Sequence, residues 1–545
     1  MKKIIGGTLG NCVHVAGTMN YLNLAEQEKY DTEFIGIGVS IDDLIKIIDE
    51  KKPDVVALSY RLTPDPLHEI MKELKEKTQD IKEVTWLFGG TEPTGLVAKE
   101  YEIFDKIFYG YEDVDEVIAY LKGQDYSEEG LYPREIIERI KSKYPYPILR
   151  HHLGLSTIEE TVEAIEKVAD SKTIDIISVA PDQNAQEFFF DQENMDKKLD
   201  GAGGVPLRNK DDFKKLYGAA DRGNYPLLRS YSGTKNIIEF AEVLNETIDN
   251  AWCAVPLFWY SELDRRGPRT LENAIYENQQ VMKWHGESNI PVEVNDPHNW
   301  SLRDAHDAIA VAVAYIVAYN AKVMGVKDYI AQFMFNVPAS ISPEMDLGKM
   351  LAKIQLIKGL VDEEFSIYRQ ARAGLASFPA NLYQAKGQLA ASAYLAMSIK
   401  PHIYHVVGFC EAHHAAKADD IIESAMIVRG ILKNEFLGSI DMTKDKNVLD
   451  RKNKLIEEAN IIISSIKSLS PNIEDPLTDP ATLAKAVRIG ILDAPQLKGN
   501  TIAPGALKTR MVSGGLNAYD EKQGKIIGEK ERINMLLKEA GYLKI

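Results

Sequence analysis

Short apolar runs alternate with amphipathic stretches along the first 123 residues. Runs such as Phe34–Val39, Val55–Ser59 and Thr85–Phe88 have the length and composition of buried strands. The segments between them, Ile41–Lys51 and Pro66–Thr78, place apolar residues at helical spacing. Strands that alternate with helices form parallel sheets covered by helices. Residues 1–123 are therefore predicted to form a doubly wound parallel sheet.

The same alternation returns on a larger scale after residue 147. Residues 124–146 are polar and rich in turn formers and prolines, which predicts a linker. Seven strand candidates follow, separated by long amphipathic segments: Ile148–His151, Ile174–Val179, Leu227–Tyr231, Ala251–Val255, Val292–Asn295, Tyr329–Phe335 and Ile403–Gly408. Seven or eight strand–helix units predict a TIM-type (β/α)8 barrel over residues 147–440. Residues 441–545 are expected to be a C-terminal extension that packs on the barrel.

Charge and composition exclude several classes of partner. The 64 basic and 81 acidic residues give a net charge of −17, which disfavours binding to a phosphate backbone. No stretch approaches the roughly 18 apolar residues of a membrane span. The apolar run after Lys3 is too short for a signal peptide, so a cytoplasmic protein is expected. The widely spaced Cys12, Cys253 and Cys410 argue against a disulfide framework and against a thiolate zinc site.

A histidine, a hydroxyl and two sets of glycines follow strands of the first sheet. His14 and Gly17 come after the first strand, Ser59 ends another, and Gly89 and Gly90 end a third. Taken singly, a loop histidine is usually solvated and a glycine pair is usually a tight turn. The carboxyl ends of parallel strands meet at one edge, however, and ligands bind there. A neutral imidazole at that edge is able to coordinate a metal.

This set resembles the cobalamin-binding domain of mutases and methionine synthase, whose pattern is Asp-x-His-x-x-Gly, Ser-x-Leu and Gly-Gly. The resemblance implies a flavodoxin-like fold in which His14 is the lower axial ligand of cobalt and Ser59 contacts the displaced nucleotide tail. Gly17, Gly89 and Gly90 would line the channel for that tail and the corrin.

Two positions depart from the family pattern. Cys12 stands where the family has Asp, and Arg61 stands where it has Leu. The family Asp accepts a hydrogen bond from the axial histidine, and such outer partners change metal affinity about 10–100-fold. A thiol accepts that bond poorly. Either cobalt is held more weakly in this chain, or another group such as Asn11 orients His14.

Polar residues recur at the ends of the predicted barrel strands, where such barrels bind substrates. They include Arg150, Arg229, Tyr231 and His298. A single arginine at a strand end is usually a surface ion pair. Two arginines at one barrel face are suited to bidentate binding of carboxylates.

Residues 147–520 resemble the catalytic large subunit of glutamate mutase (methylaspartate mutase). The similar segments are Pro226–Arg229 with Gly233 and Thr234, Thr270–Asn273, and Gly490–Pro495 followed by Asn500 and Gly505. The resemblance places Arg150 and Arg229 on two carboxylate-binding arginines and Gln186 near a third. It also implies roles in catalysis for Glu411 and Tyr260, and a homodimer formed through the barrel.

Other family residues are replaced here. Cys253 lies near the position of the glutamate that accepts the substrate amine, and Val407 lies near that of the lysine facing the adenosyl ribose. The substrate is therefore expected to be a small carboxylic acid other than glutamate, with radical handling rebuilt around Glu411, His413 and His414. A metal site built from Glu411, His405, His413 and His414 is the alternative for these side chains.

Three functions remain open at this stage. The leading hypothesis is an adenosylcobalamin-dependent carbon-skeleton mutase that acts by a radical mechanism. The alternatives are a corrinoid-dependent methyltransferase, which would use methylcobalamin, and a non-catalytic corrinoid carrier or sensor.

Overall fold

The chain forms two compact units, residues 1–131 and residues 132–545. The structure is a computed structural model that describes residues 2–110, 112, 114–123, 132–231, 233–436 and 438–541. Residues 124–131 of the predicted linker lie outside the described residues. Within the part of the chain that is described, no helix is long and apolar enough to cross a membrane.

The first unit is a five-stranded parallel sheet in the order β2-β1-β3-β4-β5. Its strands are β1 (Lys3–Leu9), β2 (Asp31–Val39), β3 (Val55–Tyr60), β4 (Thr85–Gly90) and β5 (Lys106–Phe108). A helix follows each strand: α1 (Ala16–Gln27), α2 (Ile41–Lys51), α3 (Pro64–Thr78), α4 (Glu92–Glu100) and α5 (Val114–Leu121). This arrangement is the predicted doubly wound, flavodoxin-like sheet.

Both faces of this sheet are buried. Neighbouring residues of a strand point to opposite faces. Ile5 and Val56 accordingly belong to one hydrophobic cluster, and Ile4 and Ala57 belong to another. The two clusters hold the helices on either side and leave the carboxyl edge of the strands for loops.

The second unit contains the predicted barrel of eight parallel strands. They are β6 (Ile148–Leu153), β7 (Ile176–Val179), β8 (Leu227–Arg229), β9 (Cys253–Val255), β10 (Val292–Val294), β11 (Asp328–Phe335), β12 (Ser366–Ala373) and β13 (Ile403–His405). Every strand except β8 pairs with the next in sequence up to β13, and β13 pairs with β6. Between β8 and β9 a parallel bridge from Tyr231 to Ala254 nearly closes the ring.

Helices surround the barrel, and one of them lies in the predicted linker. They are α6 (Ile136–Lys143), α7 (Ile158–Asp170), α8 (Gln183–Phe188), α9 (Lys210–Ala220), α10 (Ile237–Ile248), α11 (Leu271–Glu287), α12 (Asp296–Ser301), α13 (Asp307–Val323), α14 (Pro343–Lys358), α15 (Leu382–Met397) and α16 (Ala418–Phe436). Ile136 and Ile140 of α6 pack with Ile148, Ile176 and Ile403 at the amino end of the barrel.

The rest of the chain packs on the barrel helices. It consists of α17 (Lys446–Ser468), α18 (Pro480–Ile489), β14 (Thr509–Val512), β15 (Gly515–Asp520), β16 (Lys525–Ile526) and α19 (Glu529–Glu539). Helix α17 contacts α13 and α14. Buried Arg451 of α17 donates to the Asp307 carboxylate of α13 at 2.6 Å. This charged, hydrogen-bonded contact fixes the position of α17 on the barrel.

Candidate functional site

The predicted cofactor residues meet at the carboxyl edge of the first sheet. In the strand register Thr8 of β1 pairs with Ser59 of β3, and Ser59 pairs with Gly89 of β4. His14 lies in the loop between β1 and α1, with an exposed side chain. The structure therefore brings His14, Ser59 and Gly89 to one edge, where doubly wound sheets bind ligands.

The three predicted glycines have different surroundings. A Cβ on Gly17 would meet no heavy atom of the described residues within 4 Å, and one on Gly89 would meet only the Ser59 Cβ, at 3.9 Å. A Cβ on Gly90 would collide with the Thr94 hydroxyl and the Tyr60 carbonyl oxygen, the latter at 2.9 Å. Gly17 and Gly89 thus leave open surface at the edge, whereas Gly90 is required by packing.

Cys12 contacts the predicted axial histidine. Its buried sulfur lies 3.8 Å from Nδ1 of His14 and accepts a hydrogen bond from the Arg61 amide at 3.4 Å. The thiol occupies the place of an orienting partner, although it is a weak one. With Nδ1 turned toward Cys12, Nε2 of the exposed ring is the nitrogen available to a metal. Ser59 is oriented in turn by the Thr18 hydroxyl at 2.7 Å.

These features fit a cobalamin ligand. The His14 imidazole is exposed, and its Nδ1 faces the Cys12 sulfur. Gly17 and Gly89 leave space beside it for a bulky flat group. His14 would hold the cobalt, and Gly17, Ser59 and Gly89 would contact the rest of the cofactor.

A second group of polar residues lies inside the barrel. Arg150 of β6 donates to the Ser178 hydroxyl and the Gln370 side-chain oxygen, both at 2.6 Å, and lies 3.5 Å from the Glu293 carboxylate. Arg229 of β8 lies 3.4 Å from the same carboxylate oxygen. Burial opposes ionisation of Glu293, but the charges of Arg150 and Arg229, together with side-chain hydrogen bonds, outweigh it and lower the pKa of Glu293. Two buried arginines therefore share one buried carboxylate.

Arg229 has donors to spare. Its Nε and Nη2 are buried and have no hydrogen-bond partner among the described residues. The guanidinium carbon lies 5.1 Å from the Trp252 ring and 4.8 Å from the Tyr231 ring. Burial, and then the positive charge of Arg150, lower the pKa of Arg229 to about 9. An anion bound here would satisfy two orphan donors and relieve the repulsion between the arginines.

Aromatic and imidazole groups lie next to the arginines. His152 accepts from Arg150 through Nε2 at 3.0 Å, because a guanidinium only donates. The Tyr231 hydroxyl lies 2.6 Å from Nδ1 and 2.8 Å from Nε2 of the same ring. The His405 ring lies 4.4 Å from that of His152. Burial and then neighbouring arginines hold the pKa of both histidines well below its usual value. At neutral pH these rings are uncharged hydrogen-bonding groups.

The other predicted barrel residues have varied environments. His298 is buried on α12, with no partner for Nδ1 in the described ranges. Gln186 donates to the Pro181 carbonyl at 2.9 Å, and the Arg266 guanidinium lies 4.4 Å from the Tyr260 ring. Glu411 and His413 lie exposed in the loop after β13.

Among the described residues, His405, Glu411, His413 and His414 do not form a group whose ligand atoms lie within 4.8 Å of one another. His405 lies inside the barrel beside His152, whereas Glu411, His413 and His414 lie in the loop after β13.

Sequence reasoning missed Glu293, Gln370 and Arg372 in the barrel interior. Strand β12, which carries Gln370 and Arg372, was not among the strand candidates because its sequence, SIYRQARA, lacks an apolar run. The available signal was that Tyr368, Gln370 and Arg372 occupy alternate positions, as residues on one face of a strand do.

Residues 2–119 match the family model described as the B12 binding domain. No curated protein matches the chain. Among solved structures, a novel cobalamin-binding protein from Desulfitobacterium hafniense DCB-2 is similar over 22% of this chain, with 19% identity and a TM-score of 0.19. The chain spans 56% of the length of that protein. The cobalamin-dependent S-adenosylmethionine radical enzyme OxsB, in its apo, selenomethionine-labelled form, matches over 100% of this chain and 76% of its own, with 10% identity and a TM-score of 0.18.

The family match covers the sheet whose edge carries His14, Gly17, Ser59 and Gly89. The chain therefore contains a cobalamin-binding domain, formed by residues 2–119, followed by an eight-stranded parallel barrel.

Proposed function

We propose that the protein is an adenosylcobalamin-dependent carbon-skeleton mutase that acts on a small carboxylic acid in its barrel. The observation that carries the proposal is the buried pair Arg150 and Arg229 around Glu293, in a chain that also has a cobalamin-binding domain. When bound, adenosylcobalamin supplies a 5′-deoxyadenosyl radical by homolysis of its cobalt–carbon bond.

The barrel residues have distinct tasks in this proposal. Arg229 binds the substrate carboxylate through Nε and Nη2, the donors that lack partners among the described side chains and main chain. Arg150, engaged by Ser178, Gln370 and His152, keeps Glu293 and His152 in place. Glu293 in turn holds Arg229 in position.

The neutral side chains add orientation without charge. Tyr231 and His152 form a short hydrogen-bonded pair that is able to bind the far end of the substrate, and buried His298 offers an unpaired nitrogen in the described structure. Tyr260, Gln186, Glu411 and His413 keep the substrate-contacting or catalytic roles that the resemblance implies. A buried site of this kind excludes water from a reactive radical.

The decisive experiment is a titration of the full chain with adenosyl-, methyl- and aquocobalamin, followed by absorbance and electron paramagnetic resonance. We expect binding with the nucleotide base displaced and a histidine nitrogen on cobalt. His14→Ala should abolish that nitrogen coupling without unfolding the protein, because His14 is exposed. His68→Ala, a histidine on α3 that hydrogen-bonds the Tyr101 hydroxyl, is the matched control and should keep it.

Small mono- and dicarboxylic acids are then added to the adenosylcobalamin complex. A substrate-dependent radical signal supports the mutase. Turnover with methylcobalamin alone would instead identify a methyltransferase, and tight corrinoid binding with no turnover would identify a carrier. Failure to bind any of the three corrinoids would refute all three functions.

A further inference from the structure

The loop after β13 brings a thiol, an imidazole and a carboxylate together. Cys410, His414 and Asp420 each present one ligand atom, and these atoms lie within 4.8 Å of one another. Ligand atoms around a tetrahedral zinc ion lie roughly 3.3–3.8 Å apart, from zinc–ligand distances of about 2.0–2.3 Å. A small contraction of the cluster therefore accommodates such an ion.

The backbone holds these three side chains in place. The amides of His413 and His414 both donate to the Cys410 carbonyl, at 2.7 and 2.9 Å, so the chain turns directly after the cysteine. Asp420 lies in the first turn of α16, where its carboxylate accepts the Lys417 amide at 3.0 Å and lies 3.2 Å from Nε2 of His414. The arrangement is set by local hydrogen bonds, not by chance contact of long side chains.

A buried imidazole nitrogen of His151 lies beside Gly408, as does the Cys410 sulfur. His151, 5% exposed, contacts the His152 carbonyl through Nδ1, which must donate the bond. In the neutral ring Nε2 then bears a lone pair, and it has no hydrogen-bond partner in the described part of the chain. A Cβ placed on Gly408 would lie 3.5 Å from this Nε2 and 3.4 Å from the Cys410 sulfur. Nε2 of His151 is not among the ligand atoms that lie within 4.8 Å of one another, so sharing an ion requires the His151 ring to move toward the sulfur, into the space that Gly408 leaves open.

We propose that Cys410, His414 and Asp420 bind a divalent transition metal of the zinc type, with Nε2 of His151 as the fourth ligand. The mixed sulfur, nitrogen and oxygen set suits zinc better than magnesium or calcium, which prefer oxygen ligands alone. The Nδ1 contact of His151 to a carbonyl is the outer interaction that metal-bound histidines make. The site needs only one thiolate, so the wide spacing of the three cysteines does not exclude it.

The site lies at the carboxyl end of β13, the edge of the barrel where substrates bind. It uses no residue of the first unit, and it does not depend on the proposed function. A zinc ion here would fix the loop that carries Glu411 and His413.

The test uses the full-length protein purified without corrinoid. Zinc affinity is measured by competition with a chromophoric chelator, and zinc coordination by X-ray absorption of the loaded wild-type protein. We expect one zinc ion per chain and one sulfur neighbour at about 2.3 Å. Cys410→Ser and Asp420→Asn should each weaken binding at least about tenfold, since even outer-shell changes cost about 10–100-fold.

Asp419→Asn is the matched control. Asp419 is the adjacent carboxylate, exposed and paired with Lys167 at 2.7 Å, and its loss should leave zinc affinity unchanged. Absence of stoichiometric zinc, absence of a sulfur neighbour, or equal weakening by Asp419→Asn and Asp420→Asn would overturn the site. Unchanged affinity and nitrogen coordination in His151→Gln would overturn the fourth ligand. Because wild-type absorption needs no variant, a misfolded variant does not decide the result.

Discussion

The cobalamin-binding edge and the barrel interior are built in opposite ways. At the edge, His14 is exposed and Gly17 has open space above it. In the barrel, Arg150, Arg229 and Glu293 are almost completely buried, and both arginines pair with the Glu293 carboxylate. A change at the edge should therefore alter ligand binding and leave folding intact, whereas a change in the barrel should alter both.

The difference also concerns distance along the chain. Cys12, His14 and Gly17 lie within six consecutive residues, and the motif is readable without a structure. Arg150 and Gln370 meet at 2.6 Å although they are 220 residues apart. A site within one loop can be recognised from consecutive residues. A site inside a barrel combines residues from distant strands, so it forms only when all eight strands are assembled.

The sharpest test of the comparison is Glu293→Gln. The substitution keeps the shape of the side chain and removes the anion between Arg150 and Arg229, so two buried cations lose their counter-ion. Breaking a buried pair in this way costs about 3–5 kcal/mol. The free energy of unfolding, measured by urea denaturation, should fall by that amount.

Glu287→Gln is its control. Glu287 pairs with Lys283 on the exposed surface of α11, and such pairs contribute at most about 1 kcal/mol. Similar stabilities for the two variants would mean that the buried network is not a stability determinant.

The fold was predictable because its signals are local. Apolar runs and helical periodicity predicted both the parallel sheet and the barrel class. Strand β12 was not predicted, because inward-facing Gln370 and Arg372 replace the apolar residues of an ordinary barrel interior. Helix α6 lies in the predicted linker because Ile136 and Ile140 pack under the barrel, a tertiary contact that the polar composition of the segment conceals.

The barrel site was predictable only in part. Arg150 and Arg229 were visible as charges at strand ends, but their shared partner Glu293 lies in Val292–Val294, where one acidic residue between two valines resembles a solvent-facing position. The grouping of Cys410 with Asp420 depends on the turn after β13, which residue spacing does not reveal.

Buried Lys353 should make the stability of the barrel unit depend on pH. Burial, and then the charge of Lys349, lower its pKa from 10.5 to about 7. Between pH 7 and pH 10.5 this lysine is protonated in the unfolded chain but largely neutral in the folded one, so the free energy of unfolding rises with pH across that range. Below pH 7 the lysine is charged in both states, and the full cost of burying that charge lowers the stability. Lys353→Met should raise stability at pH 6 by on the order of 1–4 kcal/mol, with a gain that shrinks toward pH 10.

The control for this prediction is Lys358→Met, an exposed lysine of the same helix α14. It should change stability by no more than about 0.5 kcal/mol at either pH. A gain for Lys353→Met that does not vary between pH 6 and pH 10 would show that packing, and not protonation, is responsible.

Cys12→Asp tests the cobalamin edge by restoring the family residue. The new carboxylate would lie where the sulfur now approaches His14 Nδ1 at 3.8 Å, and would accept the imidazole proton more strongly than a thiol. Cobalamin affinity should rise about 10–100-fold. Cys12→Ser, which introduces a hydroxyl of similar size, should change it less; equal affinity in Cys12→Asp and wild type would mean that another group orients His14.

The smallest effect is expected at Gly17. Comparing Gly17 with Gly90 distinguishes a glycine that leaves space for a ligand from one that is required by packing. Gly17→Ala should stabilise α1 by a few tenths of a kcal/mol, since alanine favours helices and its Cβ meets no described atom within 4 Å. The same methyl group should weaken cobalamin binding if the cofactor lies against this residue. Gly90→Ala should instead lower the thermal midpoint, because its Cβ would collide with the Tyr60 carbonyl oxygen and Thr94. Calorimetry and a cobalamin titration on both variants check the distinction. If Gly17→Ala binds cobalamin as tightly as the wild type, the cofactor does not lie against Gly17. His14 and Ser59 would then be the contacts to test next.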